Sequence, residues 1–469
     1  MMDYWELRKA IQRVIPRQTR LMPPTKGLGP IKEKGRKKNY HEYRLDTGEF
    51  EKQEHLLNTE EVTSFLEVSI RAQACPMCLN LDIYDGLLCP YGCKYCYADN
   101  FRASLYTAFF DNSHTLGLRA CNPDYYMREL DKLFQYWGTP PEGNPVRRAV
   151  SIGIPIRFGI RFEDFLPTEA KRGVSLRLLQ YLAQAEYPVM INTKSDLVGR
   201  EDYVRALADN PGRSAVHITM ISSDSEFLRK LEPGAPSFEK RIEAAYNLSS
   251  AGVRVVARIE PYMVFINDSP DEVQEYMDKC WEAGIRNITF DTYSYSANNP
   301  GIRNNFAIAG YDFERMFLLG CDSQPIGSLL LGEFIKLFRA RGFSCSTFDM
   351  GNVPDNDDGI CCEVGEWFGE AGAGFNWGCS VGAVQFIKLA YGKAVGWADF
   401  EKWVNEHSGG FLSAALRRSV WDLWNFEGNE AYSPGWARNL EPAGYDRFGV
   451  RWKAVEGQDF RWELLNGLL

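Results

Sequence analysis

No apolar run in this chain approaches the ~18 residues that a membrane-spanning helix needs. The N-terminus, Met-Met-Asp-Tyr-Trp-Glu, lacks the pattern of a secretory signal. Together these absences lead to the expectation of a cytoplasmic protein with no membrane partner. A disulfide framework is missing too. Twelve cysteines in 469 residues are too sparse for one, and in a cytosolic chain they point to metal binding instead. Nor is there an excess of positive charge. The formal net charge of −9 argues against a general nucleic-acid coat. It leaves room for a local basic groove, because patches rather than totals attract phosphates. What is present is a globular composition, 45% hydrophobic and 25% charged, with length for two or three domains.

Residues 1–65 read as a basic N-terminal arm. Lys26 to Arg44 runs KGLGPIKEKGRKKNYHEYR, where Gly and Pro break any helix. Such an arm either contacts phosphates or a partner, or is a solvated tail or a strap over the surface. Residues 66–300 alternate strands and helices. The apolar runs that read as strands are Leu81–Leu88, Ala149–Ile154, Val189–Thr193, Ala215–Met220, Val253–Ile259 and Ile285–Asp291. Between the last two, Ser269 suits a helix cap, Pro270 its first position, and Glu272 a capping box. Val273, Tyr276, Met277 and Cys280 then fall on one face, and Gly284 ends the helix. Another helix starts at Ser237, places Ile242, Ala245 and Tyr246 on one face, and stops at Gly252. Repeated β–α units make this an α/β fold with a parallel sheet, whose ligands sit at the C-terminal ends of the strands. Six strands suit a partial barrel better than a closed eight-fold one, and the count alone does not decide between barrel and open sheet. Residues 301–469 read as a mostly helical C-terminal cap or substrate region, rich in Cys and Trp.

The first strand leads into Cys89-Pro-Tyr-Gly-Cys93-Lys-Tyr-Cys96-Tyr97. Thiolates are the usual ligands of iron–sulfur clusters, and a four-iron cubane normally takes four. Cys89, Cys93 and Cys96 at C-x3-C-x2-C spacing leave one iron without a protein ligand, the mark of a catalytic rather than a structural metal site. Gly92 allows a tight turn, and Tyr95 and Tyr97 are placed to cover the cluster. The plainer readings are buried thiols or a zinc site, the latter mimicked by Cys75-Pro-Met-Cys78 followed by Cys93-Lys-Tyr-Cys96.

This loop resembles that of the radical SAM superfamily. Thr193-Lys194-Ser195, Val216-His217-Ile218-Thr219, Leu231-Glu-Pro-Gly-Ala-Pro-Ser237 and Ser250 to Pro261 resemble the branch containing spore photoproduct lyase and the DNA repair photolyase-like proteins. The likeness covers about residues 80–295, with a looser match over Cys345–Cys362. It implies a partial (β/α)6 TIM-like barrel and a 4Fe-4S cluster whose free iron binds S-adenosylmethionine (SAM). It further implies cleavage of SAM to a 5′-deoxyadenosyl radical, and an electron donor such as flavodoxin or ferredoxin. The favoured substrate by resemblance is a nucleobase in DNA, a pyrimidine, for repair or modification. A peptide or small metabolite is the alternative, and a non-catalytic iron–sulfur redox sensor is a second.

Several residues take roles on that reading. Lys194, at the end of the third strand, pairs with the SAM carboxylate by resemblance, or is simply an exposed lysine. Thr219 ends the fourth strand, where its hydroxyl reaches the same moiety. Arg258 is a charge inside a buried strand, which is costly unless it faces a cavity or a partner. Glu260 shares its face and suits that partnership. Glu163, with Asp164 and Glu169, follows the second strand and suits ribose hydroxyls, against the plainer reading of solvated loop acids. Tyr293 and Tyr295 follow the sixth strand as hydrogen-atom relays or ordinary lining. Cys121 is the one cysteine between the cluster and the second strand, where the lyase has its donor, although its local sequence does not match. Cys345, Cys361, Cys362 and Cys379 form either an auxiliary iron–sulfur or zinc site, or thiols in a second core. Cys280 and Cys321 read as packing, as does Cys121 on its plainer reading. The C-terminal tryptophans among Arg417, Arg418, Arg438, Arg447 and Arg451 either stack bases or form a core, and the core is favoured.

Overall fold

Seven parallel strands lie side by side in the order in which the chain makes them, in a computed structural model. It describes residues 3–14, 67–68, 79–85, 89–96, 119–140, 143–160, 162–292, 325–347, 357, 361–365, 367, 380–408, 410–411, 414–425 and 440–455. The sheet order is β1 (Glu67–Val68), β2 (Leu79–Leu81), β5 (Ile156–Phe158), β6 (Val189–Thr193), β7 (Ser214–Thr219), β8 (Arg254–Tyr262), β9 (Asn287–Thr292), β10 (Ser344–Thr347), with β1 antiparallel to β2. Between β2 and β5 the chain makes a small antiparallel pair, β3 (Tyr84–Asp85) with β4 (Arg119–Ala120). A strand order that never reverses, joined by right-handed crossovers, puts the helices on one face. Among the described residues the two edges are not paired with each other, so the sheet is a singly wound, open α/β architecture rather than a closed barrel.

The alternation of side chains along the strands separates the faces. Phe290 packs edge-on to Phe334 and Phe338 of the helix Pro325–Arg341, so Ile288, Phe290 and their neighbours face the helices. The opposite face carries rows set by register. One runs Thr219, Arg258, Thr289, Ser346, and another Asn192, His217, Val256, Asn287, Ser344. A sheet buried under helices on one side has become polar on the other.

Several elements differ from the sequence reading. Ala149–Ile154 is not a strand. Asn144 caps a helix, Pro145–Ser151, by accepting from Arg147 N at 3.0 Å, and Pro suits its first turn. The strand is displaced to Ile156–Phe158. Leu81–Leu88 breaks after Leu81, where the N–H groups of Ile83 and Tyr84 leave the ladder for the Asp164 carboxylate; residues 86–88 lie outside the described ones. β10, beyond the expected end of the barrel region at 300, is a seventh parallel strand. The helix Phe238–Ser250 follows Ser237 as read, but its Tyr246 is exposed while Phe238, Arg241, Ala244, Ala245 and Leu248 are buried.

At the N-terminus, residues 4–14 are not an arm. They form a helix whose Tyr4, Leu7 and Ile11 enter the main core. The Tyr4 hydroxyl donates to Asp268 at 2.5 Å, and the Arg8 guanidinium lies 2.9 Å from the other Asp268 oxygen. The basic stretch Lys26–Arg44 lies outside the described residues. In the C-terminal region Trp397, Phe400, Trp424 and Trp452 build a second core between helices and the hairpin β11 (Leu440–Asp446) and β12 (Gly449–Ala454). The core reading of those tryptophans is the one seen; Trp377, Trp436 and Trp462 lie outside the described residues. The Arg148 guanidinium reaches across to the carbonyls of Gly410 and Phe411.

The helix Pro270–Glu282 buries Val273, Tyr276, Met277 and Cys280, as its spacing requires. Its capping box does not form. Glu272 instead accepts from the hydroxyls of Ser222 and Ser269. Burial outweighs these bonds and pushes its carboxyl up to about 7. Between the ordinary carboxyl range and pH 7 the folded chain therefore holds more protons than the unfolded one, and stability falls as pH rises. Glu272→Gln is expected to remove a slope of at most about 3 kcal/mol between pH 5 and 8. Denaturant midpoints of parent and variant across that range check it.

Candidate functional site

The cysteine loop folds through two successive turns. Gly92, at φ +57°, donates to the Cys89 carbonyl at 3.1 Å, and Cys96 N donates to the Cys93 carbonyl at 3.2 Å. This puts three thiols that form no disulfide on one short loop, Cys93 buried and Cys89 and Cys96 half-buried. The loop is docked on the segment after the helix Ser225–Leu231. Lys94 N donates to Leu231 O at 2.8 Å, and Gly234 N to Tyr91 O at 3.1 Å. Gly234 is required by close approach, since a Cβ there would meet Pro90 O at 2.1 Å.

Tyr95 does not shield this loop from solvent. Its hydroxyl turns inward to Glu232, whose carboxylate also pairs with Arg241. Arg241 in turn donates to Thr219 O at 2.8 Å, at the end of β7. Burial works against the Arg241 charge, and Glu232 outweighs it, leaving the guanidinium above its ordinary value. A chain of contacts thus ties the cysteine loop to the sheet. Glu232 and Arg241 were given no role from the sequence; both stand in stretches that carry the resemblance, Leu231–Ser237 and Lys240-Arg241-Ile242-Glu243, and nothing in the spacing showed that they pair. Tyr97 lies outside the described residues.

The three acids after β5 are not solvated. Glu163 accepts from Phe165 N at 3.1 Å and the Thr193 hydroxyl at 2.6 Å on one oxygen, and from Lys194 N at 3.0 Å on the other. It braces the end of β6, with both oxygens committed to protein rather than left for ribose hydroxyls. Asp164 accepts from Ile83 N, Tyr84 N and Gly159 N at 2.7, 3.1 and 2.7 Å. Glu169 accepts from the hydroxyls of Tyr84 and Tyr203 and the amides of Val174 and Leu176. Burial pushes Glu163 and Asp164 above the ordinary carboxyl range against the pull of these donors.

Lys194 follows β6 and stands between the cysteine loop and the polar face. Its ammonium lies 5.5 Å from the Tyr95 ring centre and, among the described residues, makes no ion pair. Burial disfavours its charge, but Cys93, Glu232 and Cys96 outweigh that and raise it. Thr219 is buried at the end of β7. Arg258 pairs with Glu260, which also accepts from the Thr289 hydroxyl at 2.8 Å. Glu260 is opposed by burial, yet Arg258 and Thr289 hold it below its usual range.

The remaining candidates are dispersed. Cys121 is buried behind β3, its amide donating to Ile83 O at 2.8 Å, and burial pushes its thiol up. Cys345 lies on the helix-facing side of β10 and donates to Phe343 O at 3.6 Å. The thiols of Cys361 and Cys362 are 3.7 Å apart. Tyr293, Tyr295, Cys75, Cys78, Cys321 and Cys379 lie outside the described residues. Among the described residues no group of three or more His, Cys, Asp or Glu is arranged to hold a metal ion. The case for the loop therefore rests on the identity and placement of its thiols, not on a closed cage.

Two residues of the polar face were missed in the sequence. Glu363, at φ +51°, accepts from Asn287 and Ser344 at 2.9 and 2.7 Å and from Ser346, binding β9 to β10; its carbonyl accepts from Arg254 at 2.7 Å. His217 is buried, and burial, then Arg258, Arg157 and Arg254, hold it well below its ordinary value.

No protein-family model matches the chain. No curated protein matches it either. Among solved structures, it is similar to a single-residue mutant of spore photoproduct lyase, at 13% identity, TM-score 0.43, over 61% of this chain and 80% of that one. Spore photoproduct lyase complexed with dinucleoside spore photoproduct gives 13%, 0.43, 60% and 79%. SuiB of Streptococcus suis bound to precursor peptide SuiA gives 17%, 0.37, 59% and 49%.

The Glu232–Arg241 pair is 0% and 1% exposed. Removing one partner leaves a buried charge uncompensated, so Arg241→Ala is expected to cost about 3–5 kcal/mol, read as a fall in denaturant midpoint. A loss within that of a surface salt bridge, below about 1 kcal/mol, would contradict the structural role given to this pair.

Proposed function

We propose that the chain is a radical SAM enzyme that abstracts hydrogen from a substrate on the polar face of the sheet. The observation that carries this reading is the placement of Cys89, Cys93 and Cys96, in no disulfide, on one loop beside the ammonium of Lys194. The donor set fits the group. Three thiolates hold three irons of a four-iron cluster and leave the fourth open. When bound, that cluster and SAM supply a strong hydrogen-atom acceptor; the protein's part is to position it and exclude side reactions. Lys194 offers a cation to a carboxylate at the mouth of the face. Thr219 and the Arg258–Glu260 pair line the row next to it. The Glu232–Arg241 pair and the Glu163 carboxylate keep loop and lysine in register.

The favoured substrate is a nucleobase in DNA, supported by the sequence resemblance alone. Of the C-terminal tryptophans that agreed with base stacking, Trp397, Trp424 and Trp452 are used in a core, with Trp403 and Trp421 packed against it. A peptide or small metabolite therefore stands as the second reading, and the two separate on whether DNA binds with an affinity that falls as salt rises.

Anaerobic reconstitution with iron and sulfide, then SAM and dithionite, tests the proposal. About four irons per chain and 5′-deoxyadenosine that vanishes in Cys93→Ala are expected. A fully loaded protein that forms no 5′-deoxyadenosine with DNA, peptide or metabolite mixtures would favour the redox sensor. Lys194→Met is expected to weaken SAM binding about tenfold or more while iron content holds, since it removes a charge-assisted contact. Gly234→Ala is expected to lower iron content, because its Cβ would displace the cysteine loop at Pro90.

A further inference from the structure

At the end of the sheet away from the cysteine loop, where β7, β8 and β9 begin, lies a cavity of about 470 Å³. That size is within the range of small-molecule sites. Arg213, Ser214, Arg254, Arg286, Asn287 and Trp367 line it, and its described lining holds no aspartate or glutamate.

Each arginine reaches it differently. Arg213 is exposed, and its backbone sits in the left-handed region at φ +77°, which a residue with a Cβ adopts only when its surroundings hold it there. The turn before it needs Gly212, whose Cβ would meet Glu186 O at 2.2 Å. Among the described residues the Arg213 guanidinium makes no ion pair. Arg286 is fixed over the Trp281 ring at 3.8 Å and donates to the Trp281 and Ile285 carbonyls at 2.8 Å, so its charge meets no carboxylate. Arg254 donates to Glu363 O. The Ser214 side chain, on a residue 8% exposed, has its hydroxyl buried without a hydrogen-bond partner among the described residues. A buried hydroxyl left unpaired is a cost to the protein unless something else completes it.

We propose that this cavity is a binding site for a phosphate-bearing ligand, separate from the cysteine-loop site. The Arg213 and Arg286 guanidinium groups and the Ser214 hydroxyl face an anion as donors, and two guanidinium groups exceed what a single carboxylate needs. Arginine forks match phosphate oxygens. Trp367 gives the site an apolar wall.

Isothermal titration of the full chain with inorganic pyrophosphate tests this without reference to catalysis. The expected result is saturable binding to one site that weakens as salt rises. Arg213→Gln is expected to weaken it about tenfold, and Ser214→Ala measurably, with unchanged circular dichroism. Cys93→Ala is expected to bind like the parent, which separates this site from the proposed function. No binding by the folded parent, or equal affinity in parent and Arg213→Gln/Arg286→Gln, overturns the proposal. Competition identifies the source of the phosphate. Displacement by ADP but not by a short abasic oligonucleotide at matched phosphate assigns a small molecule. Displacement by the oligonucleotide assigns a nucleic-acid backbone, and either result keeps phosphate as the ligand.

Discussion

A carboxylate taken out of water costs several kcal/mol unless its lone pairs are filled, and four filled ones hold together the end of this molecule where the cysteines lie. Glu163 collects donors from two loops, Asp164 from the stretch after β2 and from Gly159, Glu169 from two tyrosines and a helix start, and Glu232 from Tyr95 and Arg241. None of these loops has a core of its own. Each is placed because its N–H or O–H groups are the ones that make a buried charge tolerable. The position of Lys194 relative to Cys93 is therefore fixed twice, through Glu163 at its backbone and through the Glu232–Arg241 pair beneath the cysteine loop.

The same constraint explains the two faces. Helices cover one side of a singly wound sheet and take its Ile, Val and Phe side chains. The other side carries Arg, Asn, Thr, Ser and Glu, many of which pair with one another, as in Arg157 with Asn80, Arg258 with Glu260, which also accepts from Thr289, and Glu363 with Asn287, Ser344 and Ser346. A charged residue inside an apolar strand carried this information in the sequence, which is why Arg258 and its pairing with Glu260 were legible. Cys89, Cys93 and Cys96 were legible because three thiols at fixed spacing need no tertiary context. The helix after Ser269 was legible from its periodicity.

What was not legible depended on contacts distant in sequence. Ala149–Ile154 has an apolar run as good as any strand, and Asn144 with Pro145 decided for helix. β10 is four residues long and owes its place to β9 and to Glu363, which lies outside any recognisable pattern. Glu163, Asp164 and Glu169 look like loop acids until the amides they receive from residues 83, 84, 159, 174, 176 and 194 are known. The Ser269–Glu272 spacing pointed to a capping box, and Ser222, 50 residues away, took the carboxylate instead.

Two groups of the polar face keep their charge state near neutral pH. His217 is held neutral by burial and by three arginines, and Glu260 is held ionised by Arg258 despite burial. Neither changes charge where the usual histidine would. A hydrogen-atom abstraction moves no net charge, so a lining that keeps its charge fixed suits it better than one poised for proton transfer. Other buried carboxyls are raised instead, Glu272 to about 7 in the first turn of its helix and Glu163, Asp164 and Glu363 above the ordinary range. Glu272 therefore contributes to changes in fold stability around pH 7 through its contacts with Ser222 and Ser269, not through the Arg258–Glu260 pair.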